Sequence, residues 1–261
     1  MSDAATTGAA VDFDGTISAL EAIVDRCRDV GDRAGYFPAL YLAVTRTVRQ
    51  RAATGRFADA PRMERFVVAF ARRYLDAHAA FEAGTSCPRS WRVAFTTAGH
   101  WRPVILQHLL LGINAHINLD LGVTAADAGG TGPLAAVQAD FDAVNDVLGS
   151  LVDGCQGALD EVSPWLDLVD RIGGRHDEAV IRFSLVAARQ QAWRVAEQLH
   201  GLHGAERLAA IDAVDDAAAK VAHAVQHPGL AASALLLAVR ARERAAPRRV
   251  IDVLVEAEAT D

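Results

Sequence analysis

The chain has 261 residues, a formal net charge of −7 and a hydrophobic fraction of 51%, of which aromatic residues supply little. A chain of this length can bury a sizeable core, as one large domain or two small ones. Its basic residues are dispersed among acidic ones, so the chain lacks the basic surface typical of nucleic-acid-binding proteins. We therefore expect no nucleic-acid partner.

The cysteine usage and the N-terminal residues favour a cytoplasmic protein. Cys27, Cys87 and Cys155 are odd in number and far apart, so neither a disulfide framework nor a cysteine zinc site is expected. Reduced thiols are typical of the cytoplasm. Residues 1–16 lack the basic and apolar regions of a signal peptide.

Helical periodicity extends over nearly the whole chain. In residues 17–34, for example, apolar side chains recur on one stripe, as in an amphipathic helix. Further helices are predicted at 37–52, 61–82, around Trp91 and Phe95, 103–121, 133–161, 164–172, 176–201, 204–225, 229–245 and 249–259, with a loop at 125–133. For 249–259 an edge strand is the alternative to a helix.

This pattern predicts an all-α fold. We expect a single-domain, multi-helix bundle over residues 15–261 around a buried central helix at about 103–121, preceded by a tail at 1–14. The most apolar segment, residues 101–122, is long enough to cross a bilayer. Its polar side chains favour a buried helix of the fold and no membrane span; they are Gln107, His108, Asn114, His116, Asn118 and Asp120.

The sequence GINAHINLD, residues 112–120, carries two polar pairs at helical spacing. His116 and Asp120 are four residues apart, so they share one face of a helix. Asn114 and Asn118 form a second such pair on nearly the opposite face.

Two interpretations of these pairs stay open. An HxxxD pair can bind one divalent metal ion, or can supply a general base with the acid that orients it. The two side chains can equally hydrogen-bond each other in a core. Because each buried polar group left unpaired costs roughly 1–3 kcal/mol, four of them on two turns favour a functional cavity.

Other residues are candidates for the same site, and each also has a structural explanation. Further metal ligands would have to come from His78, from His176, Asp177 and Glu178, or from Asp12 and Asp14; for each of these, capping or solvation is the favoured explanation. Arg182, Arg189 and Trp193 share one helix face. Arg189 could bind an anionic group with Trp193 as a pocket wall, or it could pair with a buried carboxylate such as Asp120.

The segment HLLLGINAHINLDLGVTAA, residues 108–126, resembles a bacterial family classified as domain of unknown function 5995. FPALYLAVTRTV (37–48), DFDAVNDVL (140–148) and ARQQAW (188–193) agree with it, and the resemblance spans about residues 12–202. It implies that Asn114, His116, Asn118, Asp120, Arg189 and Trp193 belong to one constellation, with Tyr41, Thr45 and Asn145 as contributors. The helices at 204–259 lie outside the resemblance.

A weaker similarity concerns the HxxxD pair alone. The helical zinc-dependent phospholipase C and nuclease group has HxxxD and HxxxE pairs around a metal cluster, but this chain has no HxxxE partner. A trinuclear site is therefore not expected, while a single divalent metal remains a candidate cofactor.

Three functions follow, each with a small and largely apolar ligand as partner; the oligomeric state is left open. The first is metal-dependent hydrolysis of an ester or phosphodiester by His116 and Asp120, with Asn114 and Asn118 positioning the substrate. In this function Arg189, Trp193, Tyr41 and Asn145 bind the substrate. The second is an acid–base cyclase or isomerase acting on an apolar intermediate. The third is a non-catalytic protein that binds a hydrophobic ligand or a partner helix.

Overall fold

The structure is a computed structural model, and it describes residues 12–54, 59–130, 132–139, 141–142, 162–163 and 185–257. These residues form helices and turns, with no strand among them, so the all-α prediction is confirmed. The helices are α1 (Phe13–Val30), α2 (Tyr36–Ala53), α3 (Ala60–Glu82), α4 (Arg89–Ala98), α5 (Ile105–Gly129), α6 (Leu185–Leu199), α7 (Gly204–Gln226), α8 (Leu230–Arg240) and α9 (Pro247–Val255).

Helix α1 begins at Phe13, two residues before the predicted start of the helical domain at residue 15. The side chain of Asp12 accepts a hydrogen bond from the backbone of Gly15 at 2.7 Å and so caps the helix. Phe13 is buried in the core. The predicted boundary between the tail and the helical domain therefore falls inside the first turn of α1.

Helix α5 is the central helix, as predicted. It packs against α2, α3, α4, α6 and α7, which surround it on most sides. By length and composition, α5 could cross a membrane, as could α7 and α8 taken together across their 66° bend, although 83% of the most apolar window of α5 is buried in the fold. That burial is also typical of a core helix.

The loop predicted at 125–133 is wrong in its first half, because α5 continues to Gly129. Thr124, Ala125 and Ala126 are buried against α6, and this packing outweighs the turn signal of the glycines that follow. The last segment is a helix, as favoured, while α8 ends at Arg240, before the predicted residue 245. The helices predicted at 133–161, 164–172 and at the start of 176–201 lie largely outside the described residues.

Carboxylates from distant parts of the chain cap the starts of α4 and α5. Asp215 of α7 accepts from the backbone N–H groups of Arg89 and Ser90 at 2.7 and 3.0 Å. Glu243 accepts from the N–H of Ile105 at 3.1 Å. A negative charge is favourable at these positive helix ends, so the caps lock α7 and the segment after α8 onto the elements that hold the site.

Gly122 provides the close approach between α5 and α6. A Cβ atom at this position would lie 2.8 Å from the carbonyl oxygen of Ala192 and 2.7 Å from Val195. We expect Gly122→Ala to lower the free energy of unfolding by about 1–3 kcal/mol, because a backbone atom must move. Gly99→Ala is the matched control, since its Cβ would meet only the Thr96 carbonyl oxygen at 3.5 Å. Equal urea-unfolding midpoints for the two variants would contradict the close contact between Gly122 and α6.

Candidate functional site

The helical hydrogen bonding of α5 changes within the GINAHINLD segment. Residues His116–Leu121 are π-helical, with i→i+5 backbone bonds, between α-helical segments on either side. Short π segments interrupt α-helices frequently at functional sites. The change does not separate the predicted pair, because Nδ1 of His116 lies 3.1 Å from Oδ2 of Asp120.

Asp120 is the polar centre of the site. It is 1% exposed and contacts three side chains from three helices. Its Oδ1 accepts from Nε of Arg73 at 3.2 Å, and its Oδ2 accepts from Nε1 of Trp91 at 2.9 Å. His116 contacts the same Oδ2. The guanidinium beside Asp120 is thus that of Arg73 on α3, in place of the suggested Arg189.

Aromatic rings surround the imidazole of His116. Phe70 stacks on it nearly in parallel, with ring centroids 3.7 Å apart at 11°. Tyr41 lies at 4.5 Å in an edge arrangement, with Phe37 and Trp91 at 5.6 and 6.0 Å. We call the five side chains Phe37, Tyr41, Phe70, Trp91 and His116 the aromatic box. Its walls come from α2, α3 and α4, so the box depends on the packing of the whole bundle.

His116 is a neutral imidazole. Its burial lowers its pKa, because the imidazolium would lose its hydration, and this effect outweighs the opposite effect of the hydrogen bond and charge of Asp120. Arg73 and Trp91 can only donate hydrogen bonds, so the carboxylate of Asp120 accepts from both. The Nδ1 of His116 then donates its proton to Asp120. This leaves Nε2 as an unprotonated nitrogen with a free lone pair.

This Nε2 has no hydrogen-bond partner among the described residues, and neither has the hydroxyl of Tyr41, whose ring centroid lies 4.5 Å from that of His116. Both atoms are buried. Buried polar atoms are almost always hydrogen-bonded, and an unpaired one costs about 1–3 kcal/mol. Burial also raises the pKa of Tyr41 well above its usual value, so the hydroxyl keeps its proton. The box therefore contains one free acceptor and one free donor.

The asparagine pair lies on the opposite face of α5, as the spacing predicts, and makes structural contacts. Nδ2 of Asn114 donates to the carbonyl oxygen of Ala218 on α7 at 2.9 Å. Nδ2 of Asn118 donates to Oδ1 of Asn114, also at 2.9 Å. These bonds attach α7 to the central helix. The prediction that both asparagines position a substrate stays untested, but they do not meet His116 and Asp120.

A small cavity of about 20 Å³ adjoins the aromatic box. It shares Phe37 and Trp91 with the box, and the remaining lining includes Arg33, Tyr74, Phe95 and His108. Phe37 packs tightly on α5, because a Cβ atom at Gly112 would lie 2.5 Å from its ring. This explains the glycine that opens the GINAHINLD segment: it lets the ring of Phe37 stand between the cavity and His116.

The other predicted residues have different contacts or lie outside the described part of the chain. Trp193 on α6 packs on Phe141 with centroids 5.0 Å apart, and its Nε1 donates to Glu197 at 3.1 Å. Arg189 is half-buried on the same helix. Thr45 donates to the carbonyl oxygen of Tyr41 at 2.8 Å and so has a structural contact. Asn145, Arg182 and residues 176–178 lie outside the described residues.

The candidate metal ligands do not converge in the described part of the structure. No group of three His, Cys, Asp or Glu side chains there is placed to hold a metal ion. Asp12 caps α1, Asp14 pairs with Arg49 at 2.6 Å, and His78 packs among Tyr74 and Phe95. The ring of His116 faces the carboxylate of Asp120, which Arg73 and Trp91 also occupy.

Four residues of the site escaped the sequence-based prediction: Arg73, Phe70, Trp91 and Phe37. Phe70 and Arg73 are three residues apart on α3 and so share one face. That face carries one charged residue beside a strongly apolar stripe. A charge in this position indicates a buried ionic partner, so the pattern could have identified Arg73. The sequence predicts a short helix around Trp91, and the stretch that contains it also resembles the family, but neither observation assigns Trp91 to the site.

Three buried histidines should make stability depend on pH. Burial lowers the pKa of His78 and His116 and lowers that of His108 to about 4. Each binds a proton near pH 6.5 in the unfolded chain but not in the folded one. The free energy of unfolding should therefore fall as the pH drops below about 6.5, by up to about 1.4 kcal/mol per pH unit for each histidine.

Urea unfolding at pH 7, 6 and 5 measures this slope. The variant His108→Gln removes one of the three groups, so its stability should fall less steeply over the same range. A slope identical to that of the unsubstituted protein would show that His108 binds its proton equally well when folded.

The sequence profile of a family described as "Family of unknown function (DUF5995)" matches residues 13–228. The match extends beyond the predicted 12–202 and includes α7, whose Ala218 carbonyl accepts the hydrogen bond from Asn114. No curated protein and no solved structure matches the chain.

Proposed function

The chain belongs to the DUF5995 family, a family of unknown function, and we propose that it is an enzyme that moves a proton within a small, largely apolar substrate, with His116 as the general base. One observation carries the proposal. The neutral imidazole is fixed through Nδ1 by Asp120, while its Nε2 is buried without a hydrogen-bond partner among the described residues. A free, oriented lone pair is what a general base requires.

Asp120 orients and stabilises the base. Nε2 takes a proton from a substrate carbon that adjoins a double bond. The electron pair of the broken C–H bond forms a new double bond to the adjacent carbon, while the original π bond opens and its electron pair moves to the carbon at its far end. The imidazolium formed in this step is stabilised by the carboxylate at 3.1 Å, as in other His–Asp arrangements. Nε2 then gives the proton to that far carbon, so the double bond has shifted by one position and the enzyme is regenerated.

Arg73 and Trp91 hold the carboxylate in place during this cycle. Their hydrogen bonds to Oδ1 and Oδ2 fix the plane of the Asp120 carboxylate. The hydroxyl of Tyr41 is the second free group in the box, and it retains its proton. It can donate a hydrogen bond to an oxygen on which negative charge develops.

The aromatic box suits an apolar substrate. Phe37, Phe70 and Trp91 exclude water from His116, which strengthens electrostatic interactions in the site. The cavity beside the box is the approach, because Phe37 and Trp91 line both the cavity and the box around the imidazole. Rotation of the Phe37 ring would join the two spaces.

The contacts of the two side chains favour this reaction over metal-dependent hydrolysis. A shared metal ion requires the imidazole and the carboxylate to point at one common position. Instead, they hydrogen-bond each other, and the carboxylate has two further donors.

Binding without catalysis is the second candidate function. It is favoured by the stacking of Phe70 directly on the imidazole and by the separate cavity, which does not have His116 in its lining. In that case, the network around Asp120 specifies the packing of the core, and the cavity alone holds the ligand.

Hydrogen–deuterium exchange into substrate C–H groups tests the proposal. The protein is incubated in D₂O with a panel of small apolar ketones and unsaturated acids, and exchange is followed by mass spectrometry. We expect the unsubstituted protein to accelerate exchange adjacent to a carbonyl, and His116→Gln to lose about 10²–10⁴-fold of that rate.

His78→Gln is the matched control, since His78 is also buried and also packs on aromatic rings of α3 and α4. It should retain the exchange activity. If His116→Gln exchanges a bound compound as fast as the unsubstituted protein, or if bound compounds exchange in neither, the second candidate function replaces the first.

A further inference from the structure

We infer that the cavity beside the aromatic box is a binding site for a small carboxylate, held by Arg33 and His108. The inference names the substrate class of the proposed enzyme, and it rests on that function only in treating the ligand as a substrate. The site itself stands on the side chains that line the cavity, which belong to the turn before α2 and to helices α2, α3, α4 and α5.

Arg33 supplies the positive charge. Its side chain is half-buried and lines the cavity, and it has no hydrogen bond or ion pair within the described residues. The carboxylate next to it in sequence is occupied, because Oδ1 of Asp32 accepts from the N–H of Ala34 at 2.9 Å. The charge of Glu243 acts on Arg33 without an ion pair between them, so the planar fork of guanidinium donors is available to a carboxylate.

His108 supplies a second polar group deeper in the cavity. It is 7% exposed and lines the cavity, and neither ring nitrogen has a hydrogen-bond partner among the described residues. The ring lies beside the Pro103 carbonyl without a bond of normal geometry, and packs edge-on against Tyr36. A neutral imidazole has one N–H donor to offer to a ligand oxygen.

The charges around the cavity favour an anion. Burial, and then the charges of Arg33 and Arg240, lower the pKa of His108 to about 4, so the ring is neutral at pH 7. The positive charge of Arg33 therefore determines which ligand charge the cavity favours. Glu243, the acidic group of the neighbouring segment, accepts from the N–H of Ile105 and from Ser163 and lies close to Arg240. Its carboxylate is therefore already bound.

The size and the walls of the cavity select the ligand. A volume of about 20 Å³ holds roughly one water-sized group, so the carboxyl group alone fills it, and a wall side chain must move to admit even a short chain. The rings of Phe37, Trp91 and Phe95 supply an apolar surface for the rest of the molecule. A carboxylate anchored here places its apolar end against Phe37, on the side of His116.

Calorimetric titration at pH 7 with propionate, and with propionamide as the neutral molecule of the same shape, tests the inference. We expect propionate to bind and propionamide to bind at least tenfold more weakly. Arg33→Gln and His108→Phe should each weaken propionate binding at least tenfold. Arg92→Gln removes the same charge from an exposed position on α4 and should stay within twofold.

Absence of propionate binding, equal binding of acid and amide, or full binding by Arg33→Gln would each overturn the carboxylate site. Arg33 is not a core residue, so its variant keeps the test valid if His108→Phe fails to fold. The two proposals fail separately. Binding through Arg33 without His116-dependent exchange refutes the catalytic role alone, and exchange without binding through Arg33 refutes the carboxylate site alone.

Discussion

Asp120→Ala is expected to lower the free energy of unfolding by about 3–5 kcal/mol. The substitution leaves the indole N–H of Trp91 and the Nδ1–H of His116 buried without an acceptor, and each orphaned donor costs about 1–3 kcal/mol. The loss of the Arg73 contact contributes less to the destabilisation, because the Arg73 side chain is 29% exposed and can hydrogen-bond water instead.

Urea unfolding monitored by circular dichroism gives the value. The matched control is Asp76→Ala, which removes a carboxylate that is 73% exposed and pairs with Arg72 one turn away at 3.7 Å. It should change stability by about 0.5 kcal/mol or less. If both variants lose the same small amount, Asp120 does not hold the network together.

Asn114→Asp is expected to have the second largest effect, and one that depends on pH. Asn114 is fully buried and donates to the carbonyl oxygen of Ala218, so an ionised carboxylate there would face an acceptor without hydration. We expect a loss of about 3–5 kcal/mol at pH 8, equivalent to a carboxyl pKa raised by roughly 2–4 units in the folded state.

The sign of the pH dependence follows from that raised pKa. The protonated carboxyl can donate to Ala218, so the loss should be smallest below the unfolded-state pKa of about 3.9 and should grow as the pH rises through the folded-state value. Unfolding at pH 8 and pH 5 measures the difference. Gln190→Glu makes the same amide-to-acid change at an exposed position of α6 and should be nearly neutral at both values. A pH-independent loss would show that residue 114 reaches water.

Helical periodicity sufficed to predict much of the fold. The stripe of α1, the proline that opens α3 and the polar pairs of α5 are local features, and the structure confirms their helices. The side-chain contact of His116 with Asp120, and that of Asn118 with Asn114, also follow from four-residue spacing.

Contacts between distant segments were not predictable in this way. Arg73 reaches Asp120 across 47 residues, and Asp215 caps α4 from 125 residues away at Ser90. Periodicity identifies the buried face of a helix but not the helix that covers it. Arg189 was therefore as reasonable a partner for Asp120 as Arg73, and only the packing of α3 on α5 decides between them.

The π-helical segment illustrates a second limit. The residues His116–Leu121 have ordinary helix-forming side chains, and the change to i→i+5 bonding has no distinct sequence signal here. Similarly, the predicted extent of the family resemblance ends before α7, because α7 has few large apolar residues. Its link to the centre is the Asn114 bond to a backbone carbonyl, which no side-chain pattern reveals.

The protonation state of His116 decides whether the aromatic box contains a general base. ¹⁵N NMR of histidine-labelled protein at pH 7 measures it directly. The signals of residue 116 are assigned by their loss in His116→Gln. We expect a proton on Nδ1, donated to Asp120, and an unprotonated Nε2. A proton on Nε2, or on both nitrogens, would contradict it, because the box would then contain no free base.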